Sequence, residues 1–99
     1  MFSCKVFSEG NDVLLALCDK DILGKTFDGD DITITVSKDF YGESDCTKVQ
    51  ALKLAKKSTI INAVGNKAVK LLIGAKIVDE SSVIQIGGVA HAQVVVLKQ

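Results

Sequence analysis

Among its 99 residues the sequence has no arginine, no proline and no tryptophan. Bidentate recognition of guanine or phosphate is typically the work of arginine, so its absence argues against a protein that reads DNA sequence. Aromatic residues make up only 5% of the chain, and no RNA-recognition motif with interleaved aromatics is present. Any contact with nucleic acid would therefore rest on lysine, which attracts phosphate without reading bases.

Long apolar runs are also missing. None approaches the roughly 18 residues of a membrane-spanning helix, so no membrane partner is expected. Lys5 interrupts the first apolar run, which argues against a signal peptide. The three cysteines, Cys4, Cys18 and Cys46, lack the Cys-x-x-Cys spacing and the even number typical of zinc knuckles and disulfide frameworks. The sequence therefore predicts a cytoplasmic protein with free thiols, no metal site and no cofactor.

Valine and isoleucine are frequent, and the first apolar segments predict a β-hairpin. Residues 2–8 and 13–18 form its strands around a turn that contains glycine, asparagine and acidic residues. Cys4 lies opposite Cys18 if the loop has three residues, and opposite Leu17 if it has two or four. The second strand is apolar on both faces, which is typical of a central strand covered on both sides.

The segment after the hairpin predicts short elements. Asp19 and Gly24 are placed as the N-cap and the end of a single helical turn. Residues 32–37 alternate apolar and hydroxyl side chains, which predicts a strand with both isoleucines and the valine facing inward. Residues 40–42 predict a loop with an aromatic anchor.

Two amphipathic helices are predicted in the second half of the chain. The first begins at a cap on Ser44 or Asp45 and runs to about residue 57. Its apolar face has Val49, Leu52 and Ala55 or Lys56 at helical spacing, with Ala51 and Leu54 beside them. The second spans residues 67–75 and turns aliphatic side chains inward. Those side chains are Ala68, Val69, Leu72 and Ile73.

Strands are predicted between and after the helices. Residues 59–64 would extend the first helix by position, but they are rich in β-branched side chains and favour a strand. Residues 83–86 and 90–97 form two further strands hinged at Gly87-Gly88, where a bulge or tight bend is expected. The whole order predicts one α+β domain over residues 1–99, with a mixed β-sheet, an N-terminal hairpin and two helices packed on one face.

Charge is unevenly distributed, although the net charge is zero. Residues 1–45 hold four lysines and ten acidic residues, a charge of −6, whereas residues 46–78 hold seven lysines and no acidic residue, a charge of +7. One hypothesis is an anion-binding face on the two helices, with a phosphate at the N-terminus of the second. Its contacts would be Lys53, Lys56, Lys57, Gly65, Asn66, Lys67 and Lys70. The alternative is two solvated helix faces whose lysines meet acidic residues of the first half across space.

The last strand holds the single histidine. Alternation places His91 and Gln93 on one face, where they present two hydrogen-bonding groups side by side on a rigid strand. The alternative is that both are satisfied inside the fold or lie on a solvated face. A nucleophilic Cys18 would need a base such as His91 within reach, and the local signatures of cysteine enzymes are absent, so no catalytic residue is predicted.

Four groups of residues stand out as short motifs: Cys18-Asp19 with Leu23-Gly24-Lys25, Phe40-Tyr41-Gly42, Asn62 with Val64-Gly65, and Gly88-Val89 with His91-Ala92-Gln93. Together they resemble a small archaeal family of unknown function, over nearly the whole chain. Ala90 stands where that family favours proline. The resemblance implies a cytoplasmic protein linked with RNA or translation. It also implies a polar cluster formed by Cys18, Asp19, Tyr41, Asn62, His91 and Gln93.

Three functional hypotheses follow. The first is a non-catalytic binding module for RNA or a ribonucleoprotein, which uses the lysine-bearing helices. The second is a protein-interaction or homo-oligomer module, in which the −6 part of one copy meets the +7 part of another, or the final strands pair edge to edge. The third is a small enzyme centred on His91 or Cys18.

Overall fold

The computed structural model describes residues 1–42 and 44–96, and this part of the chain forms eight strands and three α-helices. The strands are β1 (Phe2–Glu9), β2 (Asp12–Asp19), β3 (Thr26–Asp28), β4 (Thr33–Thr35), β5 (Ser44–Cys46), β6 (Ile60–Val64), β7 (Ile84–Ile86) and β8 (Val89–Val95). The helices are α1 (Lys38–Tyr41), α2 (Lys48–Lys57) and α3 (Asn66–Gly74), with single 3-10 turns at Lys20–Ile22 and Glu80–Ser82.

Six strands form one mixed sheet in the order β5-β1-β2-β6-β8-β7, and β3 pairs with β4 in a separate hairpin. Strands β2 and β6 run parallel, whereas the other paired strands are antiparallel. Helices α2 and α3 pack together on one face of the large sheet. The prediction of an α+β fold with a mixed sheet, an N-terminal hairpin and two helices on one face is confirmed.

The N-terminal hairpin has a two-residue turn, because Glu9 pairs with Asp12. Gly10 adopts a φ of +60° there, a left-handed conformation that costs glycine no steric strain. Of the two registers that the sequence left open, the structure has Cys4 opposite Leu17. The turn length therefore decides which side chains of β1 face the helices.

The central strand β2 is covered on both faces, as its apolar sequence predicts. Leu15 and Leu17 belong to the core between the sheet and helices α2 and α3. Ala16 and Cys18 face the other way and pack with Tyr41 of α1 and with the β3–β4 hairpin. The molecule thus has three layers: a helix layer (α2 and α3, residues 47–57 and 65–76), the sheet, and a hairpin layer (β3, β4 and α1, residues 25–41).

Helix α2 begins at Lys48, later than predicted. The Thr47 hydroxyl accepts a hydrogen bond from the Gln50 N–H, while the Gln50 side-chain oxygen accepts one from the Thr47 N–H. This reciprocal capping box fixes the start of the helix. The predicted cap on Ser44 or Asp45 is wrong, because both residues lie in β5, which extends the sheet beside β1.

The inner face of α2 agrees with the prediction at Ala51 and Ala55, which are fully buried. The prediction is wrong for Val49, which is 62% exposed. The small alanine side chains let the helix backbone approach the sheet closely, and Leu52 remains only partly buried beside α3. Helix α3 buries Ala68, Val69 and Leu72 as predicted, and the predicted strand between the helices is confirmed as β6.

The hairpin layer was the least predictable part of the chain. Residues 40–42 were predicted as a loop, but Phe40 and Tyr41 complete one turn of helix, with the Ser37 hydroxyl accepting the Phe40 N–H as a cap. Strand β3 was not predicted, and β4 is shorter than expected. Ile32 is 51% exposed because it lies in the turn between these strands instead of inside a longer one.

The last two strands meet at Gly87-Gly88, as predicted. Their φ angles of +58° and +87° give a tight two-residue turn that side-chain-bearing residues rarely adopt. A Cβ atom at Gly87 would lie 2.7 Å from the Asp28 carbonyl oxygen, so the hairpin layer packs directly against this turn. Strand β8 ends at Val95, and the predicted strand's last residue, 97, lies outside the described residues.

Candidate functional site

The helix layer carries seven lysines and no acidic residue, and all seven lysines are exposed. Lys48, Lys53, Lys56 and Lys57 belong to α2, Lys67 and Lys70 belong to α3, and Lys76 follows it. The apolar sides of both helices face the sheet, so their cationic sides face solvent. The structure therefore places the predicted lysine contacts in one layer of the molecule.

Five of these lysines border two depressions. Lys48, Lys67 and Lys70 border a groove of about 800 Å³ between α2 and α3, here called the helix groove. Lys53 and Lys57 border a smaller cleft of about 370 Å³ on the other side of α2, near the β5 edge of the sheet. Lys48 was not among the predicted contacts, although the Thr47-x-x-Gln50 capping signature places it in the first turn of α2.

Acidic residues lie both in the hairpin layer and at the edges of the lysine surface. The hairpin layer holds Asp28, Asp30, Asp31 and Asp39, and it packs on the sheet face opposite the helices. Four acidic residues share depressions with these lysines: Asp19 and Asp21 with Lys67, Glu80 with Lys70, and Asp45 with Lys53 and Lys57. The sheet therefore separates the positive block from four of the ten acidic residues of the negative block.

Carboxylates that pair with the lysines of the helix layer would neutralise them. Lys20 Nζ lies 2.8 Å from Asp45 Oδ1, and both side chains are half exposed. Within the described residues, no carboxylate lies within ion-pairing distance of Lys53, Lys57, Lys67 or Lys70. Exposed pairs such as the one between Lys20 and Asp45 contribute little to stability in any case.

The phosphate site predicted at Gly65, Asn66 and Lys67 is filled by a side chain of the protein itself. The Asp19 carboxylate, 7% exposed, accepts hydrogen bonds from the Lys67 N–H at 3.1 Å and the Ala68 N–H at 2.7 Å. Asp19 therefore caps α3, although the sequence placed it as the cap of the 3-10 turn beside it, with which its side chain makes no capping bond. These two amides are not available to a phosphate.

Asn66 also has a partner within the fold. Its Oδ1 atom accepts the Ala90 N–H at 2.9 Å and so ties the start of α3 to β8. Gly65, with a φ of +120°, leaves the space that the Asp19 carboxylate fills. Of the predicted anion contacts, the lysines face solvent, whereas Gly65 and Asn66 hold the helix in position.

Three of the motif residues form a chain of hydrogen bonds on the sheet face opposite the helices. The Tyr41 hydroxyl donates to Asn62 Oδ1 at 2.6 Å, and Asn62 Nδ2 donates to Gln93 Oε1 at 3.5 Å. Burial raises the pKa of the Tyr41 hydroxyl to about 12, so it stays protonated and keeps donating. These two hydrogen bonds join α1 to strands β6 and β8.

His91 lies on the same face, half-buried. Within the described residues its ring has no hydrogen-bond partner, and burial lowers its pKa. His91 is therefore neutral at physiological pH. Gln93 is exposed and His91 is half-buried, so the two side chains on this face differ in their access to solvent.

Cys18 and His91 do not form a catalytic pair. Cys18 pairs with Val64, which in turn pairs with His91, so two strand spacings, about 10 Å, separate their backbones. Burial, with the nearby Asp19 charge as a second cause, raises the pKa of the Cys18 thiol to about 12. A fully buried, protonated thiol is a weak nucleophile, so its role in this arrangement is packing.

No group of three or more His, Cys, Asp or Glu side chains in residues 1–42 and 44–96 is arranged to hold a metal ion. In the same ranges no helix has the length and apolar character needed to cross a bilayer.

The fold and this surface define a class of small α+β proteins that carry a mixed sheet and a cationic helix layer. The chain belongs to the family described as "Protein of unknown function (DUF424)", whose family model matches residues 7–97. The resemblance seen in the sequence motifs is confirmed. A crystal structure of an uncharacterized conserved protein from the archaeon Methanopyrus kandleri is similar, with a TM-score of 0.82 and 27% identity over 99% of this chain and 93% of that one. No curated protein sequence matches the chain.

Proposed function

We propose that this chain is a cytoplasmic, non-catalytic module that binds RNA, alone or within a ribonucleoprotein, through the exposed lysines of the helix layer. The observation that supports this proposal most strongly is that seven lysines and no acidic residue occupy the layer, while the sheet separates it from the aspartates of the hairpin layer. Such a surface attracts a phosphate backbone and releases its counterions.

The chemistry of the lysine surface limits what it recognises. Lysine contacts phosphate as a point charge, and the exposed part of the helix layer presents neither arginine nor an aromatic ring. Binding of this kind depends strongly on salt and weakly on base sequence. Because Asp19 occupies the amides of Lys67 and Ala68, the binding contacts in this proposal are side chains and not the N-terminus of α3.

Fluorescence anisotropy with a labelled RNA hairpin, titrated over a range of salt concentrations, tests this proposal. A Lys53→Gln/Lys57→Gln variant and a Lys67→Gln/Lys70→Gln variant each remove two positive charges from the helix layer. If these lysines contact phosphates, each variant lowers the slope of log affinity against log salt by about one for each lysine removed.

The matched control is Lys25→Gln/Lys38→Gln, which removes the same charge from exposed positions in the hairpin layer. Its affinity and salt slope should stay close to those of the unmodified protein. Absence of RNA binding even at low ionic strength, or an equal loss in the control, would contradict the proposal.

A second candidate function is self-association, and the opposite charges of the helix layer and the hairpin layer favour it. A head-to-tail contact would bring the lysines of one copy to the aspartates of another and would weaken as salt screens the charges. Light scattering at low and high salt tests this candidate. A monomer at both salt concentrations would rule it out.

A further inference from the structure

The helix groove has an apolar floor that a phosphate-binding surface does not need. Phe2, Leu52, Leu71 and Ala75 line it, together with Met1, which is 65% exposed. The leucines are only partly buried. An RNA backbone gains little from aliphatic contacts, whereas apolar anchors are what drive the binding of a protein segment in a groove between helices.

The rim of the helix groove has the opposite character. Lys48, Lys67 and Lys70 border it. Among the described residues, Thr47 is the one other polar side chain of the lining, and none of the lining residues is acidic. An occupant that carries carboxylates beside its apolar anchors complements both the floor and the rim. A neutral occupant would leave three lysines uncompensated, and a basic one would be repelled.

We infer that the helix groove is a docking site for an acidic, amphipathic segment of another protein. The lining residues on this side run from Lys67 of α3 to Ala75 directly after it, about 12 Å along the helix axis. This length matches about two helical turns of the partner, with apolar side chains at helical spacing toward the floor and glutamates or aspartates toward the lysines.

This inference goes beyond the proposed RNA binding, because it assigns a second kind of ligand to one part of the helix layer. Lys67 and Lys70 border the helix groove and also belong to the proposed RNA surface. A segment bound in the groove would neutralise both lysines, so RNA and the segment are expected to compete.

Gly74 allows the groove to be blocked without changing any charge. It lines the groove and is exposed, and an added Cβ atom would meet nothing within 4 Å. Its backbone is helical, so a side chain there is compatible with the fold. Gly74→Trp therefore fills the groove, while Val49→Trp places the same side chain on the outer, exposed face of α2 as a matched control.

The probe is a fluorescent peptide of about 14 residues, with leucines at helical spacing and glutamates between them. It should bind the unmodified protein and lose at least about tenfold in affinity toward Gly74→Trp and toward Lys48→Glu, but not toward Val49→Trp. Peptides with the glutamates replaced by glutamine, or the leucines by serine, should bind more weakly than the probe.

The inference is overturned if the probe shows no saturable binding, if Gly74→Trp binds it as well as the unmodified protein does, or if the serine peptide binds equally well. The same variants separate this result from the RNA proposal. Gly74→Trp keeps every lysine and should bind the RNA hairpin normally, whereas Lys53→Gln/Lys57→Gln should weaken RNA binding and leave the probe's affinity unchanged.

Discussion

At the scale of single residues, the Asp19 carboxylate packs in the space that Gly65 leaves by having no side chain. A Cβ atom at Gly65 would lie 2.5 Å from the Asp19 carboxyl carbon, and the φ of +120° at Gly65 is a conformation that favours glycine. Asp19 in turn holds the first amides of α3. The two residues therefore set where the helix begins. A side chain added at Gly65 would displace the Asp19 carboxylate from the amides that it caps.

Gly65→Ala is predicted to destabilise the fold by about 2–4 kcal/mol, from backbone strain and displacement of the Asp19 cap. Gly74→Ala is the control, because its Cβ meets nothing within 4 Å and alanine favours a helix, so stability should rise slightly or stay unchanged. Urea unfolding of both variants measures the difference. Equal free energies of unfolding for the two variants would show that the site at Gly65 accepts a side chain without strain.

His91 gives a prediction about pH. Burial lowers its pKa in the folded chain, so below about pH 6.5 the unfolded chain binds a proton that the folded chain does not. Stability should therefore fall as the pH drops from about 7.5 to about 5.5, and it should fall less in His91→Gln. Denaturant unfolding at both pH values checks this, and an identical loss in the two proteins would mean that His91 does not contribute.

The sequence identified the motif residues but not their roles. Cys18-Asp19 and Val64-Gly65 were noticed as motifs, yet the contact between Asp19 and α3 joins residues almost fifty positions apart. The local pattern favoured the nearer 3-10 turn as the capped element. Only the parallel pairing of β2 with β6 brings Asp19 beside the start of α3.

At the scale of elements, the link between α3 and β8 depends on Asn66. Its side-chain oxygen accepts the Ala90 N–H, an amide that the ladders with β6 and β7 do not satisfy. The residue that looked like an anion contact in the sequence thus belongs to the framework that orients the lysines.

Asn66→Ala is predicted to cost about 1–3 kcal/mol of stability, because the partly buried Ala90 N–H loses its acceptor. Lys67→Gln, one residue later on the exposed side of α3, should change stability by less than about 0.5 kcal/mol. Thermal or urea unfolding gives both values. A larger loss for Lys67→Gln than for Asn66→Ala would reverse the roles assigned to them.

Longer elements were predictable and shorter ones were not. The periodicity of α3 and the β-branched residues of β6 gave the correct structure, because their patterns extend over five residues or more. Strands β3 and β5 have three residues each, and α1 has four, so no period can be detected in them. Their structure comes from packing: β5 from pairing with β1, and α1 from the burial of Tyr41 on the sheet.

At the scale of the whole molecule, the charge blocks of the sequence become layers. The acid-free block, residues 46–78, supplies both helices of one layer, while residues 25–41 supply the opposite layer with its aspartates. The positive block could be identified from the sequence, but the helix groove could not. The groove depends on how α2 and α3 lie side by side.

Chemical-shift mapping tests the central claim most directly: an RNA hairpin is titrated into isotope-labelled protein at low salt, and the perturbed amides are assigned. The account predicts that perturbations concentrate in α2 and α3 and weaken as salt is added, with residues 25–41 unaffected. Perturbations that centre on the hairpin layer, or no perturbation at any salt concentration, would contradict it.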